Sequence, residues 1–231
     1  MHRYYQTGNE LMFMASGQRK TGLLMVLLGL TMTMTAMAAE GQPGRFSQEG
    51  LKGWQEKSFQ GETRYTLTTD SGKQVLQAQS HATASGLFYE QAVNLVKTPY
   101  LNWSWKVANV LSDIDEHSKA GDDFAARVYL VVSGGALFWK TRSLVYVWSS
   151  NQPVNSAWEN PFTGNARHIA VRSGAAEVGQ WLSEKRNIRE DFKRVFGEDI
   201  ESIDAVAIMT DTDNSGQSAT AWYGDIYFSA D

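Results

Sequence analysis

Short segments in which apolar and polar residues alternate recur from Trp54 to Phe228, separated by Gly, Asn, Asp or Pro. That rhythm, rich in Val, Thr, Tyr and Trp, predicts strands whose successive side chains face opposite ways, assembled into an antiparallel sandwich or barrel. The predicted strands are 74–79, 87–96, 100–107, 124–133, 142–149, 166–172, 205–210 and 219–228. In the clearest of them Phe124, Ala126, Val128, Leu130 and Val132 share one face while Arg127 and Tyr129 share the other. Helical spacing occurs once, from Ile188 to Phe196, with Asn187 as the candidate N-cap and Gly197 as the stop. Residues 112–119 and 151–164 read as long loops. The second holds Trp158 between Pro153 and Pro161, a place hard to explain as core and therefore a candidate rim or lid.

A different pattern precedes this region. Arg19 and Lys20 are followed by an apolar run from Leu23 to Leu30 and then by Ala36-Met37-Ala38, the layout of an export signal cleaved between Ala38 and Ala39. The run is too short for a transmembrane helix, which needs about 20 apolar residues. Met14 opens a more ordinary leader than Met1, and either start gives the same mature chain. The expected organisation is a signal peptide at 1–38, a short linker at 39–45 and one β-sandwich domain at 46–231, periplasmic or secreted and without a stable membrane anchor after cleavage. Losing Arg3, Arg19 and Lys20 against Glu10 moves the formal charge from −4 to −6. A mildly acidic chain with no basic run is a poor nucleic-acid binder. The absence of cysteine excludes disulfides, thiol catalysis, lipid attachment at a leader cysteine and cysteine-ligated metal.

Candidate chemistry lies on the strands and at their ends. All eight tryptophans fall in the mature chain, and aromatics on an open sheet face can stack sugar rings. Trp103 and Trp105 align with Leu101 and Val107 and read as core. Tyr146 and Trp148 align with Leu144, but Val145 and Val147 could equally define the inner face, so these two stay candidates for a ligand platform. Asp122 and Asp123 precede the strand bearing Arg127, and His168 and Arg172 share a face of another strand. The candidate ligand-binding set is thus Asp122, Asp123, Arg127, Tyr146, Trp148, Trp158, His168 and Arg172. The plainer reading makes the aspartates a loop-end pair that turns the chain and pairs with Arg127, and His168 a structural strand histidine. No HxH, HExxH, GxSxG, P-loop or Rossmann pattern occurs.

Residues Asp211-Thr212-Asp213-Asn214-Ser215-Gly216 match the first half of a calcium loop, but the twelfth position is Trp222 where an EF-hand has its bidentate Glu. No cofactor is required by the sequence. A structural calcium ion held by Asp211, Asp213 and Asp225 is the one candidate, and an Asx-rich hairpin turn is the preferred explanation of the same residues.

The ordered set Leu101-Asn102-Trp103-Ser104-Trp105, Ala120 to Val128, Tyr146-Val147-Trp148-Ser149-Ser150, Ile203 to Asp213 and Trp222-Tyr223-Gly224-Asp225-Ile226 resembles the exported bacterial family catalogued as domain of unknown function 3047. The match runs from about Phe46 onward. The resemblance implies a single exported domain and brings no catalytic residues with it. The β-rich pattern with a late helix is also similar to the jelly-roll sandwiches of galactose-binding and carbohydrate-binding modules, although fold does not fix function. The first functional expectation is an exported protein that binds a carbohydrate or similar polar envelope ligand. A polysaccharide hydrolase or lyase using Asp122, Asp123 or Asp211 with His168 is the alternative, and a non-catalytic protein-interaction module is the third.

Overall fold

The structure, a computed structural model, describes residues 43–231; the leader, its two candidate starts and its cleavage point lie outside the described residues. Along the chain come α1 (Phe46–Glu49), β1 (Gln55–Gln60), β2 (Arg64–Asp70), β3 (Lys73–His81), β4 (Ala84–Asn94), β5 (Tyr100–Val107), β6 (Phe124–Val132), β7 (Arg142–Ser149), β8 (Ala157–Asn160), β9 (Thr163–Ser173), β10 (Leu182–Asn187), α2 (Ile188–Phe196), β11 (Ser202–Asp211), β12 (Ser218–Tyr223) and β13 (Tyr227–Ser229). The strands make a seven-stranded sheet, ordered β1-β4-β11-β6-β7-β9-β8, and a second sheet ordered β10-β5-β12-β3-β2 with β13 also paired to β5. The protein is an all-β jelly-roll β-sandwich. Its described strand pairs are antiparallel except β7 with β9. Among the described residues no helix is long and apolar enough to cross a membrane.

The main core lies between the sheets, and β5 shows why. Its Leu101, Trp103, Trp105 and Val107 are buried while the residues between them are half-buried, the period of two that a strand imposes. Trp103 stacks on Tyr146 at 5.2 Å and Trp105 packs against Trp148 at 5.9 Å, so β7 meets β5 through its aromatic face. This decides the face left open by the sequence: Leu144, Tyr146 and Trp148 point inward, and Val145 and Val147 belong to a second apolar cluster on the outer side of the seven-stranded sheet. Tyr146 and Trp148 are 0% and 1% exposed, and a position in the inter-sheet core removes them from any surface platform.

The helix forms where its end signals placed it. The Asn187 side chain accepts the Glu190 N–H, and Gly197 closes α2 in the left-handed conformation, with φ 73°. Phe192 is buried, and Tyr146 donates from its hydroxyl to Asp191 at 2.9 Å, tying the helix to the sheet. The predicted strand over 219–228 is two strands. Between them Gly224 runs so close to β5 that a Cβ would lie 2.2 Å from Ser104 Oγ, so any larger residue would require the Ser104 side chain to turn away. The region 151–164, expected to be a loop, contains the edge strand β8, and Trp158 is a buried strand residue there rather than a rim or lid.

Two bulges re-aim side chains. In β6 the pairing passes from Met209↔Arg127 to Asp211↔Phe124, so two β6 residues, Ala125 and Ala126, stand opposite Thr210 alone on β11. Phe124 therefore joins Arg127 and Tyr129 on the outer side, whereas strict alternation had placed it with Ala126 and Val128. The bulge keeps its backbone satisfied: Thr210 Oγ1 donates to the Ala125 carbonyl at 2.8 Å, and the Arg127 N–H donates to the Tyr223 hydroxyl at 3.3 Å. In β9 the pairing jumps from Val147↔Ala170 to Trp148↔Arg172, and that extra residue turns Arg172 to the side opposite His168.

Candidate functional site

Strand register lines up the outer side of the seven-stranded sheet. One cross-strand row reads Phe88, Ala207, Tyr129, Val145, His168, Trp158, and the next reads Gly86, Met209, Arg127, Val147, Ala170. The first row has aromatics at both ends and Tyr129 between them, and the second is small or aliphatic apart from Arg127. Arg127, His168 and Tyr129 are the titratable members of these two rows, the rest of which are apolar.

Arg127 is 3% exposed, and its carboxylate partners come from two places. Asp211, the last residue of β11, is bonded directly to Arg127 Nη2 and also accepts the Phe124 N–H at 3.3 Å. Asp122, just before β6, places Oδ2 at 3.9 Å from Arg127 Nη1 and accepts from Asn160 Nδ2 at 2.8 Å. Its other oxygen, Oδ1, lies 3.7 Å from His168 Nε2, beyond hydrogen-bond length. The His168 ring is 0% exposed and packs among aromatics, 5.1 Å from Phe124 and 5.3 Å from Trp158. Trp158 is fixed in turn by its indole N–H, which donates to the Glu116 carbonyl at 3.2 Å, so the 112–119 loop folds over this end of the face.

Burial governs the electrostatics. It pushes the Asp122 carboxyl up to about 6, against the pull of Arg127 and of the Asn160 hydrogen bond. Burial and then the Arg127 charge hold His168 well below the ordinary histidine value, so the ring is neutral at pH 7. Burial pulls Arg127 down, but its carboxylate neighbours, Asp211 foremost, outweigh that and hold the guanidinium charged. Among the described residues seven buried side-chain polar atoms have no hydrogen-bond partner, and four of them belong to this set: Asp122 Oδ1, Arg127 Nε and both ring nitrogens of His168. Buried polar groups are nearly always satisfied, and this is the largest concentration of unmet hydrogen-bonding capacity among the described residues.

The other expected residues fall elsewhere. Asp123 is engaged by the 211–216 loop, accepting from Asn214 Nδ2 at 3.1 Å and from the Ser215 N–H at 2.6 Å. Arg172 forms ion pairs with Glu184 at 2.6 Å and Glu177 at 3.2 Å, away from His168. Carboxylate oxygens of Asp123, Asp211 and Asp213 lie within 4.8 Å of one another, so Asp123 takes the place that Asp225 had in the expected calcium set. Asp225 caps α1 instead, accepting from Ser47 N at 2.9 Å and from Ser47 Oγ. All three carboxylates already hold partners: Arg127 for Asp211, the Asn214 and Ser215 N–H groups for Asp123, and the Asn214 side-chain amide for Asp213. The Gly216 N–H donates to the Thr212 carbonyl at 2.9 Å, so the turn also closes through its own hydrogen bonds. Asn160, Phe124 and Met209 join this set with no local signal in the sequence, whereas alternation had already placed Tyr129 on the face of Arg127. The available signal was Arg127 itself, a cation inside an apolar strand that demands a buried carboxylate.

Fold and site together define a jelly-roll β-sandwich with an unsatisfied polar set on the outer side of its larger sheet. Residues 52–227 match the family described as "Protein of unknown function (DUF3047)", and the chain belongs to that family. No curated protein matches it. Among solved structures it is similar to the cellulose induced protein Cip1, at 11% identity and a TM-score of 0.51, over 81% of this chain and 96% of that one. It also matches the family 11 carbohydrate-binding module of the cellulase Lic26A-Cel5E of Clostridium thermocellum, at 11% identity and a TM-score of 0.44, over 83% and 96%. A third match is the endoglucanase cel12A from Rhodothermus marinus, at 9% identity and a TM-score of 0.43, over 76% and 95%. At these identities the likeness concerns the fold.

Proposed function

We propose that this protein is an exported ligand-binding β-sandwich whose outer-sheet set of Asp122, Arg127 and His168 takes a carbohydrate or similar polar ligand. The observation that carries this is the clustering of four unpartnered buried polar atoms on three neighbouring residues. They combine an acceptor, a donor and an adaptable ring beside the Trp158 indole, the mixture that hydroxyl-rich ligands require. Export is part of the proposal on the strength of the leader alone.

Hydrolysis is less well supported by the geometry. Two carboxyl groups must share a reacting bond, whereas Asp211 is bound to Arg127 and Asp123 to the 214–215 loop, which leaves Asp122 with the free oxygen.

Thermal unfolding of the purified protein across a panel of envelope polysaccharides and sugars tests the reading. A ligand present at 100 times its dissociation constant adds about 2.7 kcal/mol to the native state, enough to move the midpoint visibly. No shift with any glycan would transfer the assignment to a protein-interaction module. The same assay with calcium tests the Asp123/Asp211/Asp213 group as an ion site. A higher midpoint would support a structural ion, and an unchanged one would assign the loop's order to its hydrogen bonds.

A further inference from the structure

Among the described residues the strand orders end in four edge strands, β1 and β8 on the larger sheet and β10 and β2 on the smaller. An open edge presents unpaired N–H and C=O groups and is a template for another strand unless something blunts it. Three of the four are blunted. β1 carries Lys57 and a bulge between Ser58 and Gln60, β8 has four residues and a bulge at Asn160, and β10 carries Lys185 and Arg186. β2 is different: Arg64-Tyr65-Thr66-Leu67-Thr68-Thr69-Asp70 contains no lysine, proline or glycine, and its seven residues pair with β3 in unbroken register.

The hairpin fixes which groups point outward. β2 joins β3 through the two-residue turn Ser71-Gly72, with φ 53° and 79°, the geometry that closes on a hydrogen-bonded pair. That pair is Asp70 with Lys73, so Arg64, Thr66, Thr68 and Asp70 bond to β3, while Tyr65, Leu67 and Thr69 turn their N–H and C=O groups away from it. Side chains divide by the same period. Tyr65 reaches between the sheets to donate to the Ser85 carbonyl at 2.6 Å, and Leu67 packs on the inter-sheet core, so Arg64, Thr66, Thr68 and Asp70 line the outer face.

This segment complements itself read backwards. About a two-fold axis at Leu67, Arg64 meets Asp70 of a second copy, Tyr65 meets Thr69, Thr66 meets Thr68 and Leu67 meets Leu67. The three residues with outward backbone groups then pair only with one another, and the opposite charges and the threonines form favourable cross-strand pairs on one face. Arg64 is exposed and has no carboxylate partner among the described residues. Asp70 Oδ2 is bonded to Lys106 and accepts from the Trp181 indole at 3.3 Å, and Oδ1 accepts from Ser71 Oγ at 3.0 Å, which leaves Oδ1 able to accept again from a guanidinium. A slip of two residues in either direction would separate Arg64 from Asp70, so charge selects this register.

We infer that β2 is a self-association edge: two copies join antiparallel through β2 about a two-fold axis at Leu67 and merge their smaller sheets into one. The contact is isologous and closes after two copies. A single strand pair lies at the small end of protein interfaces, below about 1,200 Å², so the dimer is a reversible one. It uses the smaller sheet, leaves the Asp122, Arg127 and His168 face of the larger sheet uncovered, and stands independently of the ligand proposal.

The test combines sedimentation equilibrium of the purified protein over a concentration series with oxidative cross-linking, which the absence of native cysteine keeps unambiguous. Thr66 and Thr68 of the second copy form a non-hydrogen-bonded pair, with Cα atoms about 4.5 Å apart, within reach of a disulfide. Thr66→Cys mixed with Thr68→Cys should cross-link at least ten-fold more than either variant alone, and the wild type should pass from monomer to dimer as its concentration rises. Thr69→Pro, which deletes an outward N–H and leaves the β3 pairing intact, and Arg64→Glu, which faces Asp70 with a like charge, should each weaken the dimer at least ten-fold. Their unfolding midpoints show whether the fold is kept, and the cysteine pair decides the matter if Thr69→Pro fails to fold. A monomer across the whole series, or a dimer without preference for the 66–68 cross-link, would overturn the inference; the first result would leave the β2 edge to a strand of a different protein.

Discussion

His168 shows how a single buried ring ties the site to stability. It is held neutral by burial and by Arg127, with its value in the folded chain well below the ordinary 6.5. As pH falls below 6.5 the unfolded chain takes up a proton at this ring that the folded chain refuses, and stability decreases wherever the unfolded state binds more protons. Its contribution is therefore present above about pH 6.5 and is lost on acidification. His168→Gln removes that dependence. The unfolding midpoint of the variant relative to wild type is expected to rise between pH 7.5 and pH 5, as read by thermal denaturation at both values. A gap independent of pH would mean that the ring protonates freely in the folded protein. Trp148 makes the contrary point, because aromatic residues at a strand end can be core or platform and only packing decides. It is packed against Trp105 and donates its indole N–H to the Gly174 carbonyl at 3.2 Å. Trp148→Ala should destabilise by about 3–5 kcal/mol in denaturant unfolding. A small stability loss with complete loss of glycan binding would instead return this residue to the ligand face.

Among the elements, what could be read in advance was whatever carried its own local signal. The helix α2 was legible from Asn187, Gly197 and the spacing between them, and its ends fall where those residues put them. Asn187→Ala should therefore cost about 1 kcal/mol through loss of the Glu190 N–H cap, measurable by urea unfolding, and Asn187→Ser should restore most of it. Strand β5 was legible because alternation with aromatics extends over its eight residues, and β7 because a continuous apolar run fills it, which marked a strand but left its inner face undecided. The edge strands were not. β1 and β10 are Gln55–Gln60 and Leu182–Asn187, whose charged and polar residues suit an exposed edge and mimic a loop. β8 spans four residues between turns, too short for a period to show. The bulges in β6 and β9 were invisible for a different reason: an extra residue in one strand is defined only against its partner. Those bulges bring Phe124 to His168 and carry Arg172 away from it, so the placement of both was settled by register.

For the molecule as a whole, the two clusters of buried side chains divide the labour. The inter-sheet cluster holds the tryptophan-rich core that makes a sandwich of this size stable. The second, on the outer side of the seven-stranded sheet, is apolar apart from the polar residues set into it at Arg127, Asp211, Asp122 and His168. Keeping such groups in a dry place is costly unless they are paired or serve recognition. The Arg127–Asp211 pair meets the first condition. Asp122 Oδ1 and His168 do not, and the ligand proposed here is what would complete them.

The measurement that tests this most directly is a glycan array probed with wild type, Asp122→Asn and His168→Gln, each shown to be folded by its unfolding midpoint. The account predicts discrete glycan hits for the wild type that both variants lose or weaken at least ten-fold while their midpoints stay within the folded range. An array without hits, or hits that survive unchanged in both variants, would contradict it.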